Sequence, residues 1–235
     1  MSREATHNEL AHYVTAQLKR LADPAKAPAM AAYMKTAQPF FGVPTPTRTA
    51  MLKQMGDRFA PPDQKSYARS VLALWQLPHR EEQYCAISFA RRHEQFITPA
   101  SIPLYERMIR EGAWWDFVDE IAVNLVGAVY GNFRAETRPV IERWIDDEDM
   151  WIRRTAILAH LKHKRDTDAA QLFRHCLKRA DETEFFIRKA IGWALREYSK
   201  TDPRAVRAFL TKNRKQLSNL SYTEGSKHLA RAGAT

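Results

Sequence analysis

VDEIAVNLVGAVY (Val118–Tyr130), IRRTAILAHLKHK (Ile152–Lys164) and IRKAIGWALREYS (Ile187–Ser199) fall into register when Val118, Ile152 and Ile187 are aligned, at spacings of 34 and 35 residues. Each segment sets apolar residues three and four apart, the period that gives a helix one buried stripe. Each pairs with a second apolar-striped segment, at 135–146, 168–179 and 203–214. A helix pair that recurs every ~35–47 residues marks a stacked array. No single repeat can bury its apolar face alone, so neighbours stack and the array curves around a concave surface.

The same period extends outward in both directions. It predicts helices at 5–21, 25–36, 47–59, 62–75, 80–94, 99–111, 114–130, 149–163 and 184–199, with a short last helix at 223–231. Breakers fall at the joints. Asp23-Pro24, Pro61-Pro62-Asp63 and Asp202-Pro203 put an acidic cap or a proline at helix starts, and Pro46 can open the helix after the Phe40–Thr47 connection. Glycine is scarce at 8, and alternating β-branched runs are missing. The expected fold is all-α, a curved solenoid of HEAT-like helical repeats forming one domain over residues 1–235.

The 235 residues are 45% hydrophobic, enough for a core that needs neither disulfide nor metal. Cys85 and Cys176 stand far apart with no ligand spacing around them, which fits a reducing cytoplasm. Met1–Leu21 carries charges throughout and does not read as a signal peptide. No apolar run approaches the roughly 18–20 residues that cross a bilayer. Charge is unevenly spread: residues 1–148 hold 18 Lys and Arg against 18 Asp and Glu, residues 149–235 hold 19 against 9. An excess confined to one stretch points to a polyanionic partner, nucleic acid first.

Several enzyme classes are excluded. There is no glycine-rich phosphate loop, no HExxH, no GxSxG and no glycine-rich helix-hairpin-helix. His160 and His163 have no acidic or thiol neighbour in sequence and are expected at the surface, so no metal or organic cofactor is expected. Trp114-Trp115-Asp116-Phe117-Val118-Asp119 stands out instead. Trp115 and Asp119, four apart, share a helix face. Lys189, Trp193 and Arg196 share another, opposite a core stripe of Ile187, Ile191, Ala194, Leu195 and Tyr198. At the aligned positions Asp119 and Glu120 are followed by Arg153 and Arg154, then by Arg188 and Lys189, two basic pairs set to line the same face.

The WWDFVD segment, Trp151–Leu158 and FFIRKAIGWALREYSK (Phe185–Lys200) resemble the AlkD family of alkylpurine DNA glycosylases. So do Met30–Lys35, Gly42 with Thr45-Pro46 and Arg48, and the terminal stretch from Leu217-Ser218 through Lys227-His228. The resemblance implies a C-shaped array holding duplex DNA, and excision of cationic N3- and N7-alkylpurines such as 3-methyladenine and 7-methylguanine without flipping the base into a pocket. It implies Asp119 as the catalytic carboxylate, with Trp115 and Trp193 against the sugar of the lesion. Arg154 would meet the backbone beside the lesion, Lys189 and Arg196 the phosphates, and Tyr33 the duplex beside the damaged pair, with Thr45 and Arg48 in the same footprint.

The chemistry suits these residues. Glycoside hydrolysis passes through an oxocarbenium-like transition state and ordinarily needs a second carboxyl to protonate the leaving group. A base that is already cationic leaves neutral, so a single Asp119 suffices. Two other readings remain open: a non-catalytic binder of damaged DNA, and a scaffold that holds an acidic peptide. The expected form is a monomer without membrane attachment, located in the cytoplasm and at the nucleoid when acting.

Overall fold

The computed structural model describes residues 3–232, and no strand occurs among them. It divides into two compact units, Met1–Leu104 and Tyr105–Thr235. The first holds α1 (Arg3–Leu21), α2 (Ala27–Met34), α3 (Thr45–Arg58), α4 (Gln64–Trp75) and α5 (Arg80–Arg92). α1 packs on α3, α4 and α5. Leu10, Val14 and Leu18, four apart, form its buried stripe; Tyr67, Val71 and Leu74 form that of α4, and Cys85 and Phe89 that of α5. Asp63 caps α4 through the amide of Ser66 at 2.8 Å.

Two local features of this unit follow from side-chain chemistry. Helix α2 starts at Ala27 rather than residue 25, because Asp23 accepts from the Ala25 amide (3.2 Å) and pairs with Lys26 (2.6 Å), closing a turn first. The following connection is pinned from inside: the buried Glu81 carboxylate accepts the amides of Phe41, Gly42 and Val43 at 3.0, 2.9 and 3.0 Å. Gly42 lies at φ +81°, and a Cβ there would stand 2.0 Å from the Asp23 carbonyl oxygen, so only glycine fits.

α6 (Ile102–Gly112) crosses the division between the units. The second unit continues with α7 (Trp115–Ile121), a π turn at Ala122–Val126, α8 (Gly127–Asn132), α9 (Arg134–Trp144), α10 (Met150–Leu158), α11 (Ala169–Lys178), α12 (Phe185–Tyr198), α13 (Pro203–Lys212) and α14 (Asn219–Ala232). α10 packs on both α7 and α12. The register residues Val118, Ile152 and Ile187 are all fully buried, so the sequence repeat is a packing repeat. Asp149, Asp168 and Asp202 cap α10, α11 and α13 with bonds of 2.8, 2.9 and 2.9 Å to amides of their first turns.

Three expectations change here. The helix expected over 149–163 stops at Leu158, and the chain turns through Lys164 at φ +51°. That turn carries His160 and His163 inward: they are 2% and 9% exposed, not surface side chains. His163 finds a backbone partner that sequence spacing does not reveal, donating from Nε2 to the Gly127 carbonyl at 2.8 Å. Burial holds His160 well below the ordinary imidazole value and pushes His163 down as well. The last helix starts at Asn219 rather than 223, because the Ser218 hydroxyl accepts the Ser221 amide at 3.0 Å and acts as its cap.

Candidate active site

The entry to α7 sets the site. Ala113, at φ +34°, turns the chain out of α6 in a conformation that side-chain-bearing residues seldom adopt. Trp114 follows in extended geometry and packs its ring on Trp151 (centroids 6.0 Å apart) and Phe186 (5.6 Å). Trp115 and Asp119 then line a cavity of about 400 Å³, to which Phe186 of that aromatic cluster also belongs. α10 contributes Arg154 to this cavity, and α12 contributes Phe185, Phe186, Lys189, Trp193 and Arg196. Glu224 of α14 completes the wall.

Asp119 and Arg154 meet edge to edge. Arg154 Nε donates to Oδ1 at 2.7 Å and Nη2 to Oδ2 at 2.8 Å, a planar fork matched to a carboxylate. The third nitrogen, Nη1, donates to the Phe186 carbonyl, and the guanidinium lies 5.7 Å from the Phe186 ring centroid. Both residues line the cavity, but Arg154 is 4% exposed and Asp119 17%, so the carboxylate is the more accessible member of the pair. Burial raises the Asp119 carboxyl above the ordinary carboxylate value, and the bonds and charge of Arg154 oppose that rise. The guanidinium fixes the carboxylate plane and takes one lone pair from each oxygen; each oxygen keeps another.

Elsewhere on the wall Glu224 gathers three cations. Oε2 meets Lys189 Nζ at 3.3 Å and Arg196 Nη1 at 2.9 Å, while Oε1 accepts from Lys227. Burial alone would raise this carboxyl, yet Lys227 and Lys189 hold it below the usual glutamate value. Gly192 makes the arrangement possible: a Cβ there would stand 2.4 Å from the Glu224 Cβ and 3.0 Å from the Ser221 carbonyl oxygen. Its bare backbone lets α14 close onto α12.

The model of the DNA alkylation repair enzyme family matches residues 14–229. The chain belongs to this family. A solved structure described as a predicted DNA alkylation repair enzyme from Enterococcus faecalis is similar to it at 32% identity and a TM-score of 0.81, covering 89% of this chain and 97% of that one. Comparison with curated proteins gives no match. The all-helical repeat fold of the second unit is therefore that of a DNA alkylation repair enzyme.

Within this family member, the cavity assembles Trp115, Asp119, Arg154, Lys189, Trp193 and Arg196 of the residues singled out from sequence. Arg153 and Arg188 take another direction. Arg153 grips both oxygens of Glu182 at 2.8 and 2.9 Å, and Arg188 donates to the Glu182 carbonyl at 2.9 Å, which ties down the connection entering α12. Tyr33, Thr45 and Arg48 belong to the first unit. Tyr33 is 71% exposed, whereas Arg48 is buried, stacked 4.8 Å over the Tyr84 ring and donating to the Thr45 hydroxyl at 2.9 Å.

Phe185, Phe186 and Glu224 are site residues that sequence reasoning passed over. Glu224 carries a signal in retrospect: it is the only acidic residue after Asp202, amid a strongly basic stretch. Among the described residues, no group of three or more His, Cys, Asp or Glu side chains is placed to hold a metal ion, and no helix is long and apolar enough to cross a membrane.

Proposed function

We propose that this alkylation repair family member is a monofunctional DNA glycosylase, hydrolysing the N-glycosidic bond of cationic N3- and N7-alkylpurines in duplex DNA. The observation that carries the reading is Asp119, a carboxylate locked in plane by Arg154 in a cavity walled by Trp115 and Trp193. The C1′–N bond breaks with its electron pair leaving on the base, which departs as a neutral purine. Water adds to C1′, and its proton passes to Asp119 or to solvent. Positive charge building on the sugar meets the Asp119 carboxylate, an electrostatic aid that needs no reorganisation when it is already fixed. The indole faces of Trp115 and Trp193 attract that charge by roughly 0.5–2 kcal/mol.

The phosphates flanking the lesion fall to Lys189 and Arg196, contacts that position without reading sequence. In this reading Arg154 turns one N–H of each of its three nitrogens onto Asp119 and Phe186, and the remaining N–H of Nη1 and of Nη2 are the donors it has for the backbone beside the lesion. The cavity takes the sugar rather than enclosing the base, unlike enzymes that extrude their target. The test is release of free base from duplex carrying methyl and bulkier N3 and N7 adducts, by wild type and Asp119→Asn. Release by wild type alone, with little dependence on adduct volume, is the expected result. Equal release by both proteins removes Asp119 from the chemistry, and a rate falling steeply with adduct size argues for a closed base pocket.

A further inference from the structure

We propose that Glu224 is a positioning residue, which holds Lys189, Arg196 and Lys227 as one array and so sets the register of the phosphodiester backbone beside the Trp115–Trp193 cavity. The inference rests on the glycosylase reading only for its excision readout. Its basis is the layering of charge. The Glu224 side chain is 7% exposed, while Lys189, Arg196 and Lys227 are 35%, 31% and 48% exposed. The anion lies underneath and the cations stand outward.

One partner would suffice to neutralise a buried carboxylate; here three cations converge on it, leaving a surplus of two positive charges at the rim of the cavity. Long lysine and arginine side chains have many rotamers, and cations set free of a common anion would repel one another. A carboxylate below them removes both problems at the expense of some attraction for DNA. Gly192 shows that the fold accommodates the arrangement, since any side chain there would meet the Glu224 Cβ. Arg196 on α12 and Lys227 on α14 come from different helices, so the array also reports the seating of one helix on the other. Position, not affinity, is what Glu224 supplies.

That trade predicts opposite signs for binding and chemistry. Glu224→Gln keeps the shape and removes the charge. It should bind undamaged duplex more tightly, by about three- to tenfold at low salt, because one negative charge has left a surface that meets phosphates. Single-turnover excision at saturating protein should fall roughly 10- to 100-fold, the scale set by misplacement of about 1 Å. Glu224→Asp keeps the charge on a shorter arm and serves if the first variant folds poorly. It should bind as wild type does and excise at an intermediate rate.

Tighter binding with slower excision supports the array. Excision at the wild-type rate overturns the proposal, as does a loss of duplex affinity accompanied by a lower melting temperature, the mark of a purely structural ion pair. Should wild type release no alkylpurine, the glycosylase reading fails separately. Phosphate-ethylation interference on bound duplex then still decides: sharp interference at discrete phosphates with wild type that shifts or blurs with Glu224→Gln upholds the array, and an unchanged pattern rejects it.

Discussion

Asp119 sits under two opposed influences, burial that favours its protonated form and the Arg154 fork that favours its charged form. If the ionised carboxylate stabilises the sugar cation, protonation ends catalysis, so the acid limb of kcat/KM belongs above the ordinary carboxylate range. Arg154→Lys keeps a charge but loses the fork, because an ammonium cannot span two oxygens in one plane. With its opposition weakened, burial lifts Asp119 further, and the acid limb should move to higher pH while the plateau rate falls. A pH–rate profile checks this; a limb that stays in place separates Arg154 from the titration. At this scale the sequence disclosed Trp115, Asp119 and Trp193 through their spacing, and Arg154 through the aligned basic pairs. It did not disclose that Arg153 turns to Glu182 while its neighbour turns to Asp119, since a repeat alignment gives helix position and not the direction a guanidinium takes.

Helices were legible because their apolar period and their caps agree: Asp63, Asp149, Asp168 and Asp202 all cap as side-chain acceptors. Less legible were features that depend on a neighbouring element. The π turn at Ala122–Val126 follows directly on the helix bearing Asp119, in a type of irregularity that concentrates at functional sites. The inward turn after Leu158 depends on the Gly127 carbonyl that receives His163. Gly192 is the element-scale test. In an isolated helix, alanine would be better than glycine by about 1 kcal/mol. Here the new methyl meets a Cβ at 2.4 Å and a backbone oxygen at 3.0 Å, neither of them the end of a flexible chain. Overpacking of that kind costs about 1–3 kcal/mol, so Gly192→Ala should lower stability by about 1 kcal/mol net, read as a lower urea midpoint. A raised midpoint would show that α14 shifts freely on α12.

Across the molecule, the basic stretch that begins at residue 149 overlaps α10, α12 and α14, the helices that supply most of the cavity wall. The same region buries His160, His163 and His175, all held below the ordinary imidazole value chiefly by desolvation. The unfolded chain therefore takes up protons first. Stability is complete above the ordinary value of 6.5 and declines as pH falls below it, by up to ~1.4 kcal/mol per pH unit for each histidine. Melting temperature should drop between pH 7.5 and 5.5, and His160→Phe should flatten that drop; an unchanged slope would remove His160 from the effect. The central claim is that Asp119 hydrolyses the bond to a cationic base. It is tested most directly by following free 7-methylguanine and 3-methyladenine released from methylated duplex by wild type and Asp119→Asn, each checked for folding and duplex affinity. The account predicts release by wild type and none by the variant at comparable binding. Release at equal rates, or none from wild type despite tight binding, would contradict it.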